Sequence, residues 1–244
     1  MKAKFLCGTV AVALLAIVVS GCGISVLGNG DGNKVSSSNV SIGKDKAKDL
    51  DLELNIGAGE LNVNGGAKNW VDGTITYNYD PFKPEISYKL KGKTGNGVIE
   101  QKKSKGFHKV KKLENKWELN LNDTIPVNLN VNSGASKTTL NLSGLMLNSL
   151  NVNTGVGELT VDLSGNWKKS FDTTLKMGVG KSTIILPSDV GVKIKSTKGI
   201  GTTDFEGFIS KGNGVYVNEA YKDADIIINV NTELGVGETI FKLK

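Results

Sequence analysis

The run GVGKST at residues 178–183 contains the residue types that hold a nucleotide phosphate. A phosphate-binding loop has the spacing G-x-x-x-x-G-K-[ST] and opens a helix whose amides cradle the phosphate. Here the position five residues before Gly180 is Leu175, and the following IILP is apolar, mostly β-branched and closed by a proline, which predicts a strand. The sequence therefore argues against nucleotide binding at this run.

Other side chains that could do chemistry are few. His108 is the only histidine, and it lies in the lysine-rich run KSKGFHKVKK, where we expect it to be solvated. This excludes Ser-His-Asp, Cys-His and multi-histidine metal sites. Four glutamates near glycine turns could align on one edge and bind calcium or serve a carbohydrate-active enzyme, although a solubilising row is the favoured interpretation: Glu60, Glu158, Glu206 and Glu238. We predict no catalytic residue, no metal site and no cofactor.

The basic residues are all lysine. The chain has 30 of them, no arginine, and a formal net charge of +6. Nucleic-acid recognition favours arginine, so we expect no nucleic-acid partner. Ten lysines cluster between residues 89 and 116, with only two glutamates among them: Lys89, Lys91, Lys93, Lys102, Lys103, Lys105, Lys109, Lys111, Lys112 and Lys116. This segment could contact anionic lipid headgroups or wall teichoic acids, or it could be a long loop that lysines keep soluble.

The N-terminus has the features of a secretory signal. Lys2 and Lys4 precede an apolar run that is too short to span a bilayer comfortably. The run ends in Val19, Ser20, Gly21 and Cys22, which resembles the lipobox of bacterial lipoproteins. We therefore expect residues 1–21 to be a signal peptide and Cys22 to carry the lipid, with residues 22–49, rich in Gly, Ser, Asn and Lys, as a flexible tether. Membrane contact would be through this anchor.

A repeat appears beyond the tether. The segments LNVNSGASKTTLNLSG from Leu129 and LNVNTGVGELTVDLSG from Leu150 match at nine of 16 positions, at an offset of 21 residues. From Gly134 the successive turns follow at offsets of 21, 23, 21 and 36 residues, the last consistent with an insertion in one rung. A period of this size is typical of stacked β-rungs. The glycines that we expect at the structural turns are Gly57, Gly59, Gly134, Gly155, Gly157, Gly178, Gly180, Gly199, Gly201, Gly235 and Gly237.

The residues around each turn alternate between apolar and polar, as Leu159, Thr160, Val161, Asp162 and Leu163 do. This period of two predicts strands with one buried face, and long amphipathic helical runs are absent. We therefore predict an all-β protein: a non-repeating β segment over residues 50–123, with strands in VDGTITYNYD, EISYKLKGK and KWELNLN, followed by a repeat-built β-solenoid over residues 124–244. The two could share one core, because residues 57–64 already resemble a rung.

The lipobox, the Gly/Asn-rich tether and rungs such as NVNTGVGELTVDLSG, with a closing NVNTELGVGETIFK, resemble the toast-rack families of bacterial envelope proteins. The C-terminal half is similar to the domain of LiaF-like proteins of the cell-wall-antibiotic response. The resemblance implies a right-handed stack of β-rungs without established catalytic residues. LiaF-like proteins usually span the membrane and act with a histidine kinase, whereas this chain carries a lipobox.

These features predict a non-catalytic, adhesin-like lipoprotein that acts as a structural or interaction module of the cell envelope. The alternatives are a regulatory partner in an envelope stress response and a polysaccharide-binding or carbohydrate-active solenoid. Possible partners are an envelope protein or an anionic wall polymer. The Asn and Lys content favours a Gram-positive outer leaflet over a Gram-negative outer membrane. Self-association through an exposed terminal rung stays open.

Overall fold

A computed structural model describes residues 24–27, 34–102 and 113–244, and within them the protein is a stack of β-strands. The strands are β1 (Ile24–Leu27), β2 (Val35–Ile42), β3 (Asp49–Asn64), β4 (Val71–Tyr77), β5 (Pro84–Lys91), β6 (Thr94–Gln101), β7 (Asn115–Leu121), β8 (Pro126–Asn141), β9 (Met146–Asp162), β10 (Phe171–Leu186), β11 (Gly191–Glu206), β12 (Ile209–Gly212), β13 (Val215–Val217) and β14 (Ile227–Leu243). Short 3-10 helices cover Asp80–Phe82 and Glu219–Asp223. The prediction of an all-β, stacked-rung solenoid is confirmed.

Six long strands form the rungs of the solenoid. They pair in parallel in the order β3-β8-β9-β10-β14-β11, and each is 16 or 17 residues long. The predicted glycine turns are not loops between strands; they are bends inside these single strands, so each rung has an N-terminal arm and a C-terminal arm. In β8 the buried side chains include Val127, Leu129 and Val131 before the bend, and Thr138 and Leu140 after it. Odd-numbered residues are buried before the bend and even-numbered residues after it. The side chains of both arms can therefore face one core.

That core is continuous across the whole stack. Buried side chains of the segment 50–123 and of the repeats belong to a single hydrophobic cluster. Buried side chains at paired positions of successive C-terminal arms form a column through this core. One such column is Val63, Leu140, Val161, Ile184 and Phe241. Each such side chain contributes about 1.5–3 kcal/mol by leaving water. The predicted division near residue 123 therefore does not separate two cores.

The N-terminal segment extends the first rung on two sides. Strand β6 pairs with the N-terminal arm of β3, and β5 pairs with β6. Strand β7 pairs with the C-terminal arm of β3, and the sheet continues from β7 through β4 and β2 to β1. The flexible tether expected over residues 22–49 is therefore wrong for strands β1 and β2, which pair with each other within this range. Strand β2 lies in this range, with Val40 and Ile42 buried in the core. The sequence did not indicate this strand because the four polar residues SSSN interrupt the alternation and are typical of a loop.

The far end of the stack does not follow chain order. Strand β14 lies between β10 and β11, so the 36-residue offset is a return path and not merely an insertion in one rung. The connection contains β12 and β13, and β13 pairs with the N-terminal arm of β11. The aromatic ring of Phe205 stacks between Tyr216, at 3.5 Å, and Phe241, at 4.9 Å between ring centroids. These rings cover the end of the core.

Candidate functional site

The bends of the six rungs align into a corner that runs the length of the stack. At this corner the run GVGKST lies inside strand β10 and opens no helix. Gly180 has φ +145°, and a Cβ added there would lie 1.9 Å from the carbonyl oxygen of Gly157 on β9. Lys181 forms an ion pair with Glu238, Nζ to Oε2 3.1 Å. The run therefore forms part of a strand, as its sequence predicted, and the ammonium group of Lys181 is paired with a carboxylate of the next rung.

Charged side chains after each bend form a ladder of alternating sign. Pairing aligns them in the order Glu60, Lys137, Glu158, Lys181 and Glu238. Lys137 Nζ lies 3.8 Å from Glu158 Oε2. The predicted row of turn glutamates is therefore interleaved with lysines, and Glu206 is not in it, since it pairs in register with Lys242. Among the described residues, no group of three or more His, Cys, Asp or Glu side chains could hold a metal ion.

An open groove of about 1240 Å³ runs across the N-terminal arms, beside the glycines of the bends. We call it the Asn groove. One row of its lining, with one residue from each rung, is Asn55, Asn132, Asn153, Lys176, Glu233 and Thr197. With adjacent strands about 4.8 Å apart, this row is roughly 24 Å long.

The row holds itself together by side-chain hydrogen bonds. Asn132 Nδ2 donates to Asn55 Oδ1 at 2.9 Å, and Asn153 Nδ2 donates to Asn132 Oδ1 at 3.0 Å. Lys176 continues the row as an ion pair with Glu233, Nζ to Oε1 3.0 Å. An amide has two N–H donors and two acceptor lone pairs, so each asparagine keeps hydrogen-bonding capacity towards the groove. The alternation of apolar and polar residues predicted one buried face for each strand, but not that the asparagines line one groove.

The lysine-rich segment does not form one patch in its described part. Lys89, Lys91 and Lys93 lie exposed on β5 and the adjoining turn, and Lys102 lies at the other end of the β5–β6 hairpin. Lys116 lies on β7 and pairs with Glu118 at 2.6 Å, which raises the pKa of Lys116. The rest lie outside the described residues: Lys103, Lys105, Lys109, Lys111 and Lys112. The same holds for His108 and for the lipobox, Val19, Ser20, Gly21 and Cys22.

A polar cluster that the sequence did not reveal ties the loop before β3 to the β5–β6 hairpin. The carboxylate of Asp45 accepts hydrogen bonds from Trp70 Nε1 at 3.1 Å and from the Tyr88 hydroxyl at 3.0 Å. Burial, together with the nearby Asp45 carboxylate, raises the pKa of Tyr88. Its members lie 18 or more residues apart in the chain, so no local motif could have indicated it. The cluster is closed on itself, which indicates a structural role.

A family model for the N-terminal domain of toast-rack proteins, DUF2154, matches residues 31–185. The chain belongs to the toast-rack family. A crystal structure of a candidate cell adhesion protein from Clostridium sporogenes is 35% identical to this toast-rack chain, covers 85% of it and 99% of its own chain, and superposes with a TM-score of 0.82. That agreement supports the stacked-rung architecture on a protein of similar extent.

Two further solved structures are distant. A candidate adhesin from Bacteroides fragilis is 11% identical over 84% of this chain and 96% of its own, with a TM-score of 0.29. One from Parabacteroides distasonis is 11% identical over 87% and 98%, with a TM-score of 0.27. Scores this low support no inference about this toast-rack chain. A search of curated proteins gave no match. No helix in the described parts of the chain is long and apolar enough to cross a membrane.

Proposed function

We propose that this protein is a non-catalytic surface lipoprotein, anchored through Cys22, whose Asn groove binds an extended and largely neutral polymer such as a wall glycan. The observation that carries the proposal is the row of three hydrogen-bonded asparagines, on β3, β8 and β9, that lines one end of an open groove. The toast-rack family and the Clostridium relative, named as a candidate cell adhesion protein, support a surface interaction module over an enzyme.

The shape of the groove favours a chain over a small compact ligand. It is open along its length, and its polar groups recur once per rung over roughly 24 Å. Compact ligands bind in enclosed pockets that bury most of their surface. A polymer lying across the strands can instead repeat the same amide contact on the three successive rungs β3, β8 and β9, and can reach the side chains of Lys176, Glu233 and Thr197 beyond them. Once the polymer has made one contact, each further contact forms at a high effective concentration, so several weak contacts together give a useful affinity.

The charges in the groove favour a neutral ligand and no catalysis. Glu233 is paired with Lys176, and Glu53 accepts a hydrogen bond from Asn55 at 2.9 Å. Glycoside hydrolysis uses a pair of carboxylates, one held protonated, on either side of the scissile bond. These two carboxylates are each engaged with a neighbour, and the lining also holds the carboxylate of Glu100 and the ammonium of Lys102, which leaves three acidic side chains against two basic ones. An anionic polymer would meet their negative charge, so the groove does not suit teichoic acid.

The test is co-sedimentation of the full chain with purified wall glycan from which teichoic acids have been removed. Asn153→Arg places a long cation in the middle of the row and is expected to weaken binding at least about tenfold. Asn141→Arg, an equally exposed asparagine on the C-terminal arm of β8, is the control and should bind as the wild type does. Equal binding by both variants would exclude the groove as the site.

Two other outcomes would redirect the proposal. Binding that requires teichoic acid, and that is lost in Lys89→Glu/Lys91→Glu, would assign the interaction to the lysine face of β5. Cross-linking on intact cells that recovers a membrane protein, in a yield that changes with a wall-active antibiotic, would favour the regulatory role implied by the LiaF-like resemblance.

A further inference from the structure

The middle residue of each bend forms an apolar ridge on the outside of the corner. Read across the rungs, the ridge is Ala58, Ala135, Val156, Val179, Val236 and Ile200. The larger side chains are exposed: 53% for Val156, 46% for Val179, 43% for Val236 and 74% for Ile200. An aligned row of exposed branched side chains on a soluble surface marks an interaction site.

We propose that the ridge is the contact surface for a second copy of this chain, packed antiparallel about a two-fold axis. The axis crosses the ridge at right angles between Val156 and Val179 and lies in the plane between the copies. This contact is separate from the Asn groove and does not depend on what the groove binds.

Side-chain size along the ridge is self-complementary about this axis. The two-fold rotation sets Val156 against Val179 of the other copy, Val236 against Ala135, and Ile200 against Ala58. The two outer large side chains, Val236 and Ile200, thus each face an alanine, and the two central valines face each other. A two-fold interface requires this kind of reciprocal match, because the same patch serves both copies.

The charge ladder beside the ridge is complementary about the same axis. The rotation brings Lys137 opposite Glu238 of the other copy, and Glu158 opposite Lys181. Glu60 falls opposite Thr202, which is uncharged and continues the ladder on β11. A shift of the axis by half a rung spacing, onto a strand, would place like charges opposite each other. The alternating signs therefore exclude an axis on a strand and agree with the axis that the apolar sizes select.

A cleft receives the most exposed residue of the ridge. At the Ala58 end, a cleft of about 640 Å³ is lined by Gly59, Leu113, Ala135 and Val156, among others. Leu113 is itself 46% exposed. Since Ile200 of the second copy lies opposite Ala58, its side chain is placed at this cleft, and the same contact occurs twice in the dimer.

The ridge is one side chain wide, so the interface belongs to the small, reversible class. We expect a dissociation constant on the order of 10–100 μM. The experiment is sedimentation equilibrium of the full chain in density-matched detergent, over concentrations that bracket this range. A chain that stays monomeric throughout would overturn the proposal.

Charge reversal tests the register directly. In a dimer of Lys137→Glu chains, both Lys137–Glu238 contacts become repulsive, and the same is true of Glu238→Lys; each variant should dimerise at least about fivefold more weakly. In an equimolar mixture, each contact between the two variants is again between opposite charges, so dimerisation should return. An affinity tag on one variant identifies the mixed dimer. Lys137 and Glu238 are separated by two strands within one chain, so a gain on mixing cannot come from an internal pair.

Ile200→Asp tests the apolar contact, and it should weaken dimerisation at least about tenfold. The matched control is Ile209→Asp, which changes a half-exposed isoleucine on β12 that lies off the ridge and should leave dimerisation unchanged. Thermal unfolding of each variant separates lost contact from lost folding. Failure of the mixture to recover, with both variants folded, would also overturn the proposed register.

Discussion

At the scale of single residues, Gly157 shows why the bends keep their glycines. Its backbone has φ +135°, and an added Cβ would lie 1.9 Å from the carbonyl oxygen of Ser136 on the neighbouring rung. The corresponding position of β8 is Ser136 itself, which does not adopt positive φ and whose hydroxyl pairs with Thr138 at 3.0 Å. Strand β8 therefore bends with a serine at this position, because the φ of Ser136 is not positive. Strand β9 needs a glycine there, because its φ is positive.

We expect Gly157→Ala to lower the free energy of unfolding by about 3 kcal/mol, because both the strained φ and the overlap with a fixed backbone oxygen must be relieved. Urea denaturation measures it. Gly43→Ala is the control: a Cβ there meets nothing within 4 Å and φ is not positive, so the change should stay within about 0.5 kcal/mol. Equal effects of the two substitutions would contradict this account of the bend.

At the scale of elements, the end of β9 is closed by a carboxylate. Asp162 accepts hydrogen bonds from the Ser164 amide at 2.9 Å and the Ser164 hydroxyl at 2.6 Å, and Lys244 Nζ lies 3.6 Å away. Burial acts to raise the pKa of Asp162, but the Ser164 hydrogen bonds and the lysine charge outweigh it, so the pKa is lowered. The C-terminal residue is thereby tied to the middle of the stack.

Because the folded pKa lies below the unfolded value of about 3.9, the stabilisation is fully present above that value and is lost as pH falls through the folded pKa. We expect Asp162→Asn to lower stability by about 1 kcal/mol at pH 7. The difference from wild type should shrink steadily below about pH 4. Denaturation curves from pH 7 to 2 measure it, with the exposed Asp189→Asn as control. A difference that is constant with pH would show that the carboxylate charge has no part in it.

The sequence indicated where most of the strands lie, but not which strands are neighbours in the sheet. The strands around VDGTITY, EISYKLK and KWELNL were predicted, whereas β6 was missed because Gly95 and Gly97 are weak strand formers. A Cβ on Gly95 would lie 2.5 Å from the Tyr88 hydroxyl oxygen on β5, so this position has no room for a side chain. That reason exists only once β5 and β6 are paired.

At the scale of the whole molecule, the anchor that the sequence predicts decides where the groove and the ridge would act. Two acyl chains on Cys22 would hold the protein on a membrane, at about 0.8 kcal/mol per buried methylene. We expect Cys22→Ser to move the protein from the membrane fraction to the soluble fraction and to abolish incorporation of labelled fatty acid. Cys7→Ser, within the predicted signal peptide, should change neither. Label retained in Cys22→Ser would refute the assignment of the lipobox.

The sequence alone determined the parts of this protein that repeat. The 21-residue offset, the alternation of apolar and polar residues and the glycine pairs each follow from one rung stacking on the next, so they are visible locally and predicted an all-β stack. The positions of the bends followed as well, because each rung has at least one glycine at its bend, where neighbouring backbones come close.

Only the tertiary structure decided the order of the last rungs and the identity of the surfaces. Strand β14 lies inside the stack because its core face is apolar, with Ile228, Val230 and Phe241 buried. The C-terminal arm of β11 carries Thr202, Thr203 and Asp204, and these polar residues can lie at the solvent-exposed edge of the sheet. No described strand covers that arm of β11 on its outer side. The Asn groove, the charge ladder and the apolar ridge take one residue from each rung. They run perpendicular to the chain, and a pattern in that direction exists only after the register between strands is fixed.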